Sequence, residues 1–467
     1  MATMIGNGRR PSAAVGAHRD FFESGLAFAC LASLLFLNIA LPSAKLASVN
    51  LRGALSVGLL LLLSIMYSNL AARALKKHLL LIGLAVGLAV EGTFVSLVNG
   101  APSASIVQAV TEVHLQAVIT LLVAAILVEI SGPKAAMVAI VGVTAVSGFV
   151  AVLQMIDLDF AWHLRDAIGS MQGTSLVEDS SFLGGRPMGL AYSPIQFATQ
   201  LCLAFAVFTA TRDKERRRKL GSAVADPAVI LALLVFVAAC ITSGNRSPIL
   251  GGLIFLALYA MARQGSWVTL FIVLAGALVY FAWPTLMAVF ESAHPRVVRV
   301  NDASAEGRIT LAYYGLRLFL DNPLGYGFDF KPYAYWTQYW QDLYELPSPA
   351  VVQSKILHNY VLSMLNFYGI GLLLFAPLIS RLLARAKTSL LFFVPYIVHI
   401  LFHNSGPLWN DAIIWFVIAV IAATPGPVTG MAPARLGGRA RYVPVRPASR
   451  PVQALVLSRS YRSRKPR

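Results

Sequence analysis

The chain alternates long apolar runs with short polar links, and most of the runs are membrane-length. A helix that is apolar on every face needs an apolar surround, and a bilayer core is crossed by about 20 such residues. The runs fall at 22–42, 53–71, 79–98, 108–130, 135–155, 188–210, 227–243, 248–262, 267–290, 357–380, 389–404 and 409–424. This pattern predicts an all-α, polytopic integral membrane protein of about twelve transmembrane helices. Runs 227–243 and 248–262 are short, so they are expected to tilt or to be partly re-entrant around their link. The organisation reads as an N-terminal segment 1–21, helices one to six over 22–210, a long polar loop 291–357 carrying short helices, helices ten to twelve over 357–424, and a basic tail 425–467.

Composition agrees with the pattern. The chain has 467 residues, 57% hydrophobic and 13% charged, and a mean hydropathy of +0.69; soluble domains average about 25% charged. Cys30, Cys202 and Cys240 all lie inside apolar runs, which leaves neither a disulfide framework nor a zinc spacing. Arg9, Arg10 and Arg19 precede a first run too long for a cleaved signal, so that run reads as an uncleaved signal anchor.

The net charge of +17 is mostly a topological signal. With the N-terminus inside and twelve spans alternating, the inside segments carry 27 of the 38 Lys and Arg residues and the outside segments 11. Both termini are therefore expected to be cytoplasmic. The Arg-, Pro- and Ser-rich tail reads as disordered and drawn to anionic membrane lipid. No aromatic interleaving or fold signature accompanies its charge, so nucleic acid is not an expected partner.

The same topology puts Arg186, Arg246, Arg308, His358 and His403 on the outer side, with Glu91, Glu112 and His114 in the outer halves of their spans. A carrier needs polar sites near the midplane and a path to both faces. Chemistry gathered at one face favours an enzyme. A lipid-linked oligosaccharide flippase is the alternative; it predicts mid-bilayer charges and internal repeats, and the sequence has neither.

Each candidate has its own setting. Arg186 is held in a Gly- and Pro-rich turn before the sixth run. Arg246 lies in Thr-Ser-Gly-Asn-Arg-Ser-Pro, and its planar, permanent charge suits a phosphate. Arg308 opens a stretch with apolar Ile309, Leu311, Leu316, Leu318 and Phe319, which predicts a surface helix ending at Asp321-Asn322-Pro323. His358-Asn359 stands at the mouth of the next run, and an imidazole with its ordinary pKa near 6.5 suits a general base. His403-Asn404 repeats that dipeptide. The loop's Tyr326, Tyr335, Trp336 and Trp340 fit either sugar stacking or membrane-interface anchoring. Asp157-Leu-Asp159 is a weak D-x-D pattern with too few oxygens for a hard cation, so no metal site is expected. A guanidinium, an imidazole and aromatic rings at one membrane surface point to an enzyme acting on a lipid-linked saccharide.

Four segments then carry a resemblance. They are Gly185-Arg186 through Pro194, Ser243-Gly244-Asn245-Arg246-Ser247, Arg308 followed by Asp321-Asn322-Pro323-Leu324-Gly325-Tyr326-Gly327, and His358-Asn359 with Tyr368-Gly369. In this order over 185–375 they resemble the bacterial O-antigen ligase and polymerase family, which includes exopolysaccharide polymerases. The resemblance implies a multi-pass glycosyltransferase of the bacterial inner membrane with a periplasmic active site. Its donor would be an undecaprenyl-diphosphate-linked glycan. Its acceptor would be lipid A core for a ligase or a lipid-linked repeat unit for a polymerase; a protein O-oligosaccharyltransferase is a third option. It implies no metal and no cofactor. Arg308 would sit near the donor diphosphate, helped by Arg186 or Arg246, and His358 would act as base at the acceptor hydroxyl. Asn359, His403 and the four aromatics would be glycan contacts. Asn245 departs from the pattern, where a small or hydroxyl residue is common, and this leaves the role of Arg246 open.

Overall fold

The computed structural model describes residues 13–46, 49–172, 186–220, 226–262, 303–408 and 411–425. Its helices are α1 (Ala13–Ala40), α2 (Leu51–Met66), α3 (Ser68–Val98), α4 (Ser103–Ser131), α5 (Pro133–Met155), α6 (Asp159–Ser170), α7 (Pro194–Leu220), α8 (Pro227–Thr242) and α9 (Arg246–Ala262). After these come α10 (Ala303–Asp321), α11 (Trp336–Leu343), α12 (Tyr360–Tyr368), α13 (Ala376–Leu390), α14 (Val394–Leu401) and α15 (Ile413–Ala423). The one sheet among the described residues is a two-residue antiparallel pair, Lys45–Leu46 with Val49–Asn50.

Six helices among the described residues are long and apolar enough to cross a membrane: Phe22–Ala40, Ser68–Val98, Ser103–Ser131, Pro133–Met155, Pro194–Arg218 and Tyr360–Lys387. Five more apolar helices are shorter, including α8 and α9. The predicted run 267–290, the start of the long loop and the tail beyond 425 lie outside the described residues.

Two expected boundaries change. The polar link 72–78 is not a loop: Arg73, Lys76 and Lys77 ride on α3, and the chain breaks at Tyr67. Ser68 to His78 contains no Gly or Pro and is rich in Ala, Leu, Lys and Arg, all strong helix formers. The expected continuous run 357–380 starts at Tyr360 and breaks after Tyr368, where Gly369 adopts φ +58. Asp157 of the D-x-D pattern takes a left-handed turn, and Asp159 opens α6, where a helix N-terminus favours negative charge.

Nearly every residue of Gln116–Val128 in α4 is buried, because α1, α2, α3 and α15 surround it. α7 packs against α5, α8 and α15. Asp226 caps α8, accepting from the Ala228 amide at 3.0 Å, with Pro227 in the first helical position. It also pairs with Arg212 and Arg216 of α7, which places the start of α8 beside the end of α7. At the other end of that antiparallel pair, Nδ2 of Asn245 donates to the Pro194 carbonyl at 2.8 Å. That end carries the site.

The long loop is a packed unit. α10 buries Gly307, Thr310, Leu311, Tyr314, Gly315 and Leu318, a helical stripe at three- and four-residue spacing. The apolar face expected from the sequence was partly wrong: Ile309 and Leu316 point outward, 61% and 45% exposed. The helix ends at Asp321, before Pro323, as the proline demands.

Candidate active site

Arg186 is locked to the link between α8 and α9. Its Nε and Nη2 donate to the Ser243 carbonyl at 3.2 and 2.8 Å, and Nη2 donates to Oδ1 of Asn245 at 3.0 Å. Gly244 makes the tight link possible, with φ +63. Arg246 and Ser247 open α9 directly after it. One carboxamide, that of Asn245, thus joins the Arg186 turn, the start of α7 and the start of α9.

His358 enters from a different part of the chain. Asn359 caps α12, its Oδ1 accepting from the Leu362 amide at 3.0 Å, so the preceding imidazole is held at the helix mouth. The far end of α12 is clamped by the Asn322–Gly327 turn. The Tyr326 and Gly327 amides donate to the carbonyls of Asn366 and Phe367 at 2.7 and 3.0 Å, and the Ile370 amide donates to the Pro323 carbonyl at 2.7 Å. These bonds satisfy carbonyls that a helix end leaves open. Gly325 and Gly369 meet backbone to backbone there, both with positive φ, and a Cβ at Gly369 would fall on the Leu324 carbonyl. The Asn-Pro-Leu-Gly-Tyr-Gly segment therefore acts as a brace for α12.

Arg308 acts on these parts through its charge. Arg308, His358, Arg186 and His399 all lie close enough to His403 for their charges to act on it. Burial, then the charges of Arg308 and Lys355, push His358 down to about 4, so its imidazole is neutral at pH 7. Its Nδ1 is enclosed without a hydrogen-bond partner. Residues far apart in sequence, 186, 308, 358 and 403, thus share one region.

Other nominated residues take different positions. His403 is 1% exposed and backs the site, its ring 4.5 Å from that of His399. Tyr326 belongs to an interior cluster with Phe330 and Tyr335, centroids 4.8 and 4.9 Å away, and its hydroxyl donates to the Leu318 carbonyl. Burial is the main force pushing that hydroxyl up to about 12. Trp336 and Trp340 are half-buried against each other, edge to face at 5.5 Å. Tyr313, Tyr333 and Tyr344 are the more open rings of this region.

Behind the site runs a buried polar chain that sequence reasoning missed. Ser247 lies 3.0 Å from Nδ1 of His399, and Nε2 of His399 lies 3.2 Å from Thr199 and 3.3 Å from the Ile195 carbonyl. A carbonyl only accepts, so Nε2 carries the proton and Ser247 donates to Nδ1. Thr199 continues to Ser405 at 3.4 Å; Ser405 and Tyr396 donate to the Asp411 carboxylate at 2.6 and 2.9 Å. The four-residue spacing of His399 and His403 was the available signal, since it puts both rings on one helical face. Among the described residues no group of His, Cys, Asp and Glu is arranged to hold a metal ion.

Residues 230–376 match a family model described as O-antigen ligase. The matched segment includes Arg246, Arg308, His358 and the Gly325–Gly369 brace, and it leaves Arg186 and His403 outside. No curated protein and no solved structure matches the chain. The apolar helices describe a membrane protein, and its residues 230–376 are similar to the O-antigen ligase family.

Proposed function

We propose that this protein is a glycosyltransferase of the bacterial inner membrane, with its active site on the periplasmic side and both termini in the cytoplasm. It moves a glycan from an undecaprenyl-diphosphate carrier to a sugar hydroxyl, as an O-antigen ligase or a surface-polysaccharide polymerase. The observation that carries this reading is the setting of His358, held at the mouth of α12 by the Asn359 cap with the Arg308 charge acting on it, while Arg186 is fixed to the α8–α9 link. A guanidinium charge acting on a neutral imidazole suits a reaction that expels a diphosphate and removes a proton.

In this mechanism the acceptor oxygen attacks the anomeric carbon, and the bond from that carbon to the diphosphate oxygen breaks. The diphosphate leaves on its lipid. Negative charge grows on the departing oxygen, and fixed guanidinium groups offset it at no cost in reorganisation. Arg308 and Arg186 fill that role, with Arg246 beside them at the start of α9. His358 takes the acceptor proton as the new bond forms.

A base held near 4 is weak in the empty site. Donor binding corrects this. Burial is the larger cause of the low value and the Arg308 charge the next; the diphosphate offsets the Arg308 part, so His358 gains some basicity when there is a leaving group to expel.

The test is glycan transfer by His358→Ala and Arg308→Ala proteins that insert and accumulate normally. Each is expected to lose about a hundredfold or more of the rate. Product at the wild-type level from either variant would sink the assignment. In a deletion strain, single repeats without long chains indicate a polymerase, and finished polymer left on its carrier indicates a ligase.

A further inference from the structure

An apolar groove of about 750 Å³ runs along one side of the bundle between α5, α7 and α8. Leu201, Ala204 and Phe205 of α7 are buried at its floor. Phe149 on α5 and Leu231 and Val235 on α8 stand at its edges, each more than 60% exposed. α5 and α8 each pack on α7 and touch each other little, and small residues leave the space between them: Ala145, Gly148, Ala232 and Ala239 all face it.

The groove has a direction. Along α8 its lining runs from Ala228 to Thr242, a rise of about 21 Å at 1.5 Å per residue. Thr242 is followed at once by Ser243, whose carbonyl holds the Arg186 guanidinium. One end of a long apolar channel thus opens beside a cation of the candidate active site. The other end lies near the start of α8, most of a bilayer core away.

We infer that this groove holds the polyprenyl chain of the lipid-linked donor, with the diphosphate at the Arg186 end. The inference rests on the donor reading above and deepens it. A single unbranched-width chain carrying one anionic head suits a narrow groove with a guanidinium at one end only. Van der Waals contact along the groove contributes affinity, and it sets the anomeric carbon at a fixed height against Arg308 and His358.

Gly148 offers a clean test. A Cβ there meets no atom within 4 Å and Gly148 lines the groove, so a side chain added at this position starts into open space. Full-length protein in nanodiscs is titrated with undecaprenyl diphosphate and with dimethylallyl diphosphate, whose one isoprene unit stays at the Arg186 end. Gly148→Phe is expected to weaken the long lipid about tenfold and to leave the short one unchanged. Ala232→Phe, about 15 Å below Thr242 along α8, is expected to do the same, and Gly148→Ala is expected to bind both as the wild type does. A diazirine-bearing undecaprenyl diphosphate is expected to label 141–152 and 228–242. Equal losses for the two lipids, no loss for either, labels elsewhere, or equal displacement by phosphatidylglycerol would each overturn the groove assignment. Wild-type protein that binds neither diphosphate would instead overturn the donor reading, and the groove's occupant with it.

Discussion

Nη2 of Arg186 donates to Oδ1 of Asn245 at 3.0 Å, and the same carboxamide reaches on to the Pro194 carbonyl at 2.8 Å. Asn245 lies between Gly244 and Arg246 in the α8–α9 link. In the folded chain it ties the Arg186 turn to the starts of α7 and α9, and so it aims a cation that no nearby carboxylate could aim without cancelling its charge.

Asn245→Ala is therefore expected to loosen Arg186 without removing it. A hydrogen bond to a charged group is worth about 1.5–3 kcal/mol, and the Ser243 carbonyl still holds the guanidinium, so a rise of about tenfold in KM for the lipid donor is expected. The steady-state kinetics of the purified variant check this. An unchanged donor KM would show that Arg186 does not meet the donor.

The pH profile tests His358. The base works when neutral, so activity falls as pH drops through its pKa. In the free enzyme that value is pushed down to about 4 by burial and by Arg308 and Lys355, so the acid limb of kcat/KM is expected well below pH 6.5. The acid limb of kcat reports the donor complex and is expected at higher pH, because the diphosphate offsets Arg308. Arg308→Gln is expected to raise the kcat/KM limb toward pH 6.5. Limbs that coincide in kcat and kcat/KM would contradict the coupling.

The brace on α12 gives a stability prediction. Gly369→Ala places a Cβ on the Leu324 carbonyl at a backbone angle of φ +58. The expected cost is about 2 kcal/mol or more, read as a lower thermal midpoint in detergent. Gly325→Ala, which meets the Gly369 amide, is expected to behave alike. A midpoint unchanged in both variants would remove the structural role given to the Asn322–Gly327 segment.

Asn359 separates a helix cap from a glycan contact. Asn359→Ser keeps a capping oxygen and is expected to retain stability and transfer, whereas Asn359→Ala loses about 1 kcal/mol. If Ser melts like wild type but transfers glycan poorly, the carboxamide meets the substrate as well.

The residues proposed for the site were chosen from the chain alone. Arg186, Arg246 and His358 stand out because each is a polar group at the edge of an apolar run, and Arg308 because it opens the amphipathic stretch of the polar loop. The aromatics were less informative. Tyr326 and Tyr335 pack into an interior cluster, and a count of Tyr and Trp in a polar loop cannot separate such packing from sugar stacking or interface anchoring. His399, Thr199, Ser405 and Asp411 were hidden for another reason. Each lies in or beside an apolar run with no motif to mark it, and only tertiary packing brings Ser247 and Thr199 within 3.2 Å of His399.

The sequence by itself determined that this chain is helical and membrane-bound, and which residues carry charge at the ends of its helices. Hydropathy and chain punctuation are local properties, readable within a window of about 20 residues. Tertiary structure alone decided that Arg186 is held by the α8–α9 link, that Arg308 bears on His358, and that the Asn322–Gly327 turn braces α12. It also decided that α5 and α8 stand apart on α7 to leave a groove. Such relations depend on which helix faces lie against each other. In a chain whose runs are apolar all round, hydrophobicity does not select those faces; small residues, buried polar bonds and close backbone contacts do.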